Sequence, residues 1–157
     1  MSPPAYFLTW TTYGTWLHGD QRGSADRDHN HRGTPWLSPN TRRVERVMLN
    51  LRDTPFILSY PMRAIVEQAI RDHAVHRNWR VLALNVRTNH VHTVVDRCGS
   101  YSPEAVMQRF KSWGTRRLIA ARMTTSTTRV WTDHGSTRYL NDEYSAARAI
   151  DYVLNQQ

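Results

Sequence analysis

The 157-residue chain has a single cysteine, Cys98, a single lysine, Lys111, and fewer acids (13) than bases (21). A lone cysteine forms no internal disulfide, which fits a reducing compartment. No apolar run approaches the roughly 20 residues of a bilayer span. The first residues, Met-Ser-Pro-Pro-Ala-Tyr-Phe, lack the basic segment and long apolar stretch of a signal peptide. Together these absences predict a cytoplasmic protein without a membrane partner. No internal repeat and no linker stand out, and the length is that of one domain, 1–157, able to bury a core without a structural metal. What is present in excess is arginine, which carries all but one of the 21 cations and leaves a net charge of +8. Arginine forks match phosphate and stack on bases, although a GC-rich codon pool also replaces Lys by Arg. The charge by itself points to a polyanionic partner.

Ala5–Tyr13, aromatic and β-branched, reads as a strand ending at Gly14. A turn-rich polar stretch follows and forms part of a loop-rich insertion over about 17–60. Within it, Val44, Val47, Met48 and Leu51 have helical spacing. Pro61 opens a stronger helix with Ile65, Val66, Ala69, Ile70 and Ala74 or Val75 on one face, ending near Asn78. Strands are expected over Arg80–Arg87 and Val91–Asp96 around a Thr88-Asn89 turn. Ser102-Pro103-Glu104 starts a helix that runs to about Arg122. Asp133-His134-Gly135-Ser136 suggests a hairpin or a strand with a turn, and Asn141-Asp142-Glu143 caps a closing helix. The order β-α-β-β-α-β-α is a split βαβ pattern with one extra helix. The expected fold is therefore α+β and ferredoxin-like, an antiparallel sheet with helices on one face.

Asn89-His90-Val91-His92 puts two imidazoles two residues apart in a strand, hence on one face. His90 and His92 there either share a divalent cation or make ordinary strand hydrogen bonds. Two imidazoles tilt such a site towards Mn, Co or Zn, whereas Mg prefers oxygen ligands. On the closing helix, at about 100° per residue, Ala146, Ala147, Ile150, Val153 and Leu154 gather on one side. Arg148, Tyr152 and Gln156 form a ridge on the other, either a solvated face or a functional one.

These two features resemble the HUH endonucleases, named for a His-hydrophobic-His strand. Within that group the chain is most similar to the single-strand DNA transposases of small insertion sequences and to the REP-associated tyrosine transposases. The likeness runs through YFLTWTTYGTWL, HVHTVV, the basic helix with MQRFKSW, VWTDHGSTRYL and DEYSAARAIDYVLNQQ. The resemblance implies a bacterial, nucleoid-associated, metal-dependent endonuclease and strand transferase acting on single-stranded DNA beside a hairpin. It implies Tyr152 as the nucleophile on the closing helix. It also implies His90, His92 and Gln156 as ligands of Mg or Mn, with Asn155 the fallback for Gln156. A phenol is a poor nucleophile at neutral pH and needs a neighbouring cation, from the metal or from Arg148. Relatives include both dimers and monomers, so a homodimer and a monomer both stay open.

For DNA binding, Arg148 is joined by Arg109, Lys111, Arg116, Arg117 and Arg122 around one helix, with Trp113 among them and assigned to the core. Trp36, claimed by no core pattern, is the better stacking residue. His18, His29 and His31 would make a stray zinc site, Asp133 and His134 an acid–base pair, and Tyr139 and Tyr144 are rival nucleophiles. Two other classes compete. A non-catalytic RNA-recognition-like binding module would hold the His pair away from Tyr152. A metallohydrolase that activates water would not need Tyr152.

Overall fold

A computed structural model of the chain describes residues 4–14 and 55–155. The elements are β1 (Ala5–Thr12), α1 (Tyr60–Arg77), β2 (Arg80–Val86), β3 (His90–Asp96), α2 (Pro103–Ala120), β4 (Trp131–Leu140) and α3 (Glu143–Asn155). The helix expected over 41–50, most of the insertion, the histidines at 18, 29 and 31, Trp36 and Gln156 lie outside the described residues.

Each helix begins where its residues satisfy the first free amides. Ser59 accepts from Met62 N and Ser102 from Ala105 N, each followed by a proline in the first helical turn. Asp142 caps α3 by accepting from Ser145 N at 2.7 Å. Asn78 ends α1 in the left-handed conformation, with its amide returning to Ala74 and Val75 carbonyls.

The four strands form one antiparallel sheet in the order β2-β3-β1-β4. Alternation along the strands separates two cores. Tyr6, Leu8 and Trp10 of β1, with Val91 and Val95 of β3, pack with Val66, Ile70, Val106 and Phe110 from α1 and α2. Ala5 and Phe7 of β1, with Val94 of β3, pack instead with Ala149 and Val153 of α3. The ferredoxin-like α+β class stands, but the helices do not share one face. β3 is buried on both sides, and α3 supplies the cover that Val94 needs.

Asp133-His134-Gly135-Ser136 makes no hairpin; it lies inside the ten-residue β4. The turn-like composition survives as a bulge, because Trp10 pairs with Gly135 while Thr12 pairs with Trp131. Lys111 fills this bulge from α2. Its ammonium donates to Thr132 O at 2.8 Å and His134 O at 3.4 Å, and only 4% of the residue is exposed. Burial lowers its pKa. Lys111 is therefore a structural cation and not part of an open DNA-binding face.

Candidate active site

The His pair lies on the α3 face of the sheet. Parity on β3 puts His90 and His92 on the side of Val94, and the register sets Thr9 opposite His92 and Thr11 opposite His90. The rings meet edge-on with centroids 4.6 Å apart. Each Nδ1 is held by an oxygen: Asn89 Oδ1 at 2.7 Å for His90, Thr9 Oγ1 at 2.8 Å for His92. An amide oxygen only accepts, so His90 carries its proton on Nδ1 and its lone pair on Nε2. If His92 likewise donates to Thr9, both rings turn ligand nitrogens outward. Burial, with the charges of His90 and Arg87, lowers the His92 pKa to about 4, so the ring is neutral at pH 7.

α3 carries Tyr152 to this pair. The helix is rotated from the expected phase: Ala149 and Val153 are buried, Ala146 and Ile150 flank them, and Ala147 and Leu154 face outward. Tyr152 thereby lies at the edge of the packed face rather than opposite it. Its ring sits 6.0 Å from Phe7 and 5.7 Å from His92, and is perpendicular to the imidazole. It stays 40% exposed. Asn85 Nδ2 donates to Val153 O at 3.1 Å, pinning this turn of α3 to β2.

Beside the rings opens a cavity of about 500 Å³, lined among others by Thr9, His92, Ser136, Arg138, Arg148 and Tyr152. Arg148 is on its wall, as expected, but its guanidinium stacks over Tyr144 at 5.7 Å. Tyr144 shares the cavity without a ring contact to either histidine, and Tyr139 packs on Tyr6, across the sheet from the pair. Thr9, Asn89 and Arg138 were missed in the sequence. Strand parity could have found Thr9 and Arg138, but only once the pairing of β1 with β3 and β4 was known.

Of the expected ligand set, His90 and His92 lie side by side and Gln156 is outside the described residues. No group of three His, Cys, Asp or Glu side chains could hold a metal among the described residues. Asn155, the fallback, donates to Asp151 Oδ1 at 2.9 Å. The remaining basic residues are elsewhere. Arg109, Arg116 and Arg117 project from α2 on the opposite face of the sheet, where Arg117 pairs with Asp72 at 2.9 Å. Trp113 is not core; it is half-buried and stacks on His73.

The sequence profile of the family described as "Transposase IS200 like" matches residues 46–156, most of the chain. The chain belongs to the IS200-like transposase family. Among solved structures, it is similar to a REP-associated tyrosine transposase bound to a REP hairpin, with 11% identity and a TM-score of 0.55. That match covers 98% of this chain and 66% of the other, so the chain spans just under two thirds of that relative's length. A candidate transposase from Deinococcus radiodurans has 16% identity and a TM-score of 0.51, with 100% of this chain and 93% of that one covered. At these identities the structural likenesses establish the shared fold. No curated protein sequence matches the chain. For an IS200-like transposase, the histidine strand and the closing helix fall within the matched segment.

Proposed function

We propose that this IS200-like transposase is a single-stranded DNA endonuclease and strand transferase in which Tyr152 is the nucleophile. The observation that carries the reading is the contact of the Tyr152 ring with His92, itself against His90, at the mouth of a solvent-open cavity. Tyr152 Oη attacks the scissile phosphorus and loses its proton to solvent. The P–O3′ bond breaks, the 3′ oxygen takes up a proton, and the products are a 5′-phosphotyrosine and a free 3′-OH. The phosphoester energy is kept in that link, so a second 3′-OH can reverse the step without ATP. Hydrolysis by water would lose it.

His90 and His92, through their Nε2 atoms, with Gln156 as the third ligand, would hold a divalent ion, Mg or Mn. When bound, such an ion neutralises the scissile phosphate and favours the phenolate. Arg138 and Arg148 line the same cavity and suit the phosphates flanking the scissile one. The substrate is single-stranded DNA adjoining a hairpin, a reading supported by the hairpin carried by the REP-associated relative.

The test is incubation with single-stranded oligonucleotides and Mn or Mg, read on a denaturing gel. Wild type should form a covalent protein–DNA adduct and Tyr152→Phe none. Equal adduct from both would overturn the assignment. Cleavage that survives Tyr152→Phe but is lost in His92→Ala would instead identify a water-activating metallohydrolase.

A further inference from the structure

The geometry points to a second nucleic-acid contact, which rests on the reading that the chain acts on DNA. We propose that the groove between α1 and α2, on the sheet face opposite Tyr152, holds backbone phosphates through Arg77, Arg109 and Arg116 without reading bases.

The groove encloses about 400 Å³, and no carboxylate is among its lining residues. Arg77, Arg109 and Arg116 bring their guanidiniums to it beside His76, and none of the three arginines has a carboxylate partner among the described residues. Two of them crowd one aromatic ring: the Arg77 and Arg109 guanidinium carbons lie 5.7 and 5.8 Å from the centre of Tyr101.

Against the groove lies His73, only 4% exposed, with neither ring nitrogen hydrogen-bonded. A buried polar group left unsatisfied is costly, so His73 marks a spot at the groove wall where polar partners are missing. The Arg77 Nε is buried and unpartnered as well. Burial above all, and then the neighbouring Arg77, Arg109 and His76, lower the His73 pKa to about 4, so the ring is neutral here. The aromatic surface is already engaged. Trp113 is stacked on His73 at 5.4 Å and has the Arg116 guanidinium 5.1 Å from its centre. A base has no bare platform here, whereas phosphates have three guanidiniums.

The test is fluorescence anisotropy with two single-stranded oligonucleotides of unrelated sequence, over a salt series. Binding is read in the Tyr152→Phe chain, so the outcome does not depend on whether Tyr152 attacks. Arg109 and Arg116 are exposed, so adding Arg109→Gln with Arg116→Gln should leave the melting transition in place. Affinity should then fall by a similar factor for both sequences, and the log–log salt slope should flatten by about one to two. Arg71→Gln with Arg80→Gln, at arginines paired with Glu67 and Asp96, is the equal-charge control and should flatten it less. An unchanged slope would overturn the proposal, as would a loss confined to one sequence. Saturation by inorganic phosphate without displacement of DNA would also overturn it, making this a small-anion site. Failure of the Tyr152 reading shows separately, as absence of adduct from wild type.

Discussion

His92 is held neutral and in one orientation by its neighbours. Burial keeps it uncharged at neutral pH, and Thr9 on the adjacent strand fixes which nitrogen faces outward. Thr9→Val preserves shape and removes only the hydroxyl. The expected result is a Mn affinity about 10–100-fold weaker, measured by titration calorimetry, with the melting temperature little changed. Unaltered affinity would show that Thr9 does not orient the ring. Asn89 does the same for His90 from the neighbouring position in sequence, which makes it the easier of the two to anticipate. Cys98, by contrast, is inert: burial and Asp96 push its thiol up to about 12.

At the scale of elements, the β1–β4 pair decides how Thr9 is presented. Gly135 sits opposite Trp10, and a Cβ there would meet Thr9 O at 2.6 Å and Met107 Sδ at 2.7 Å. The methionine can swing away, but the strand carbonyl cannot move without parting the two strands. Gly135→Ala should therefore cost about 1–3 kcal/mol in urea unfolding and should disturb the Thr9–His92 bond as well. Wild-type stability in this variant would mean that the strands have slack. Such a glycine inside a strand reads as turn punctuation in one dimension, hence the expected hairpin. α3 was displaced in phase for a related reason. Ala147 and Leu154 are apolar but unclaimed by the sheet, and the small Ala149 lets the helix approach closely at Val94. That small rotation brings Tyr152 from the far side to the histidines.

For the molecule as a whole, two cores on opposite sides of one sheet keep two basic regions apart. The larger core contains His73, whose folded-state pKa of about 4 lies below its ordinary 6.5. Between those values the unfolded chain binds a proton that the folded chain refuses. Stability is thus full above about pH 6.5 and is lost as the pH falls towards 4. His92 is depressed to about the same value and adds to the same decline. The lowered carboxylates Asp72, Glu104 and Asp142 act only in more acid solution. His73→Phe, stacking between the same rings, should flatten the dependence of the urea midpoint on pH in that window without abolishing it. An unchanged profile would mean that His73 titrates normally.

Local rules were enough for the helix starts near Pro61, at Ser102 and at Asp142, for the strands either side of Thr88-Asn89, and for the pairing of His90 with His92. Caps, prolines and a period of two act within a few residues, so their outcome is written in adjacent letters. The same holds for the single Cys98 and the arginine excess, which are composition. Which cations share a site is another matter. Arg109 and Arg148 look alike in sequence, yet their helices lie on opposite faces of the sheet, and Lys111, on the same helix as Arg109, is buried under β4. Strand order, sheet face and helix phase come from burying two apolar surfaces at once, a non-local balance that no short stretch of sequence contains. That balance alone brought Tyr152 to His92.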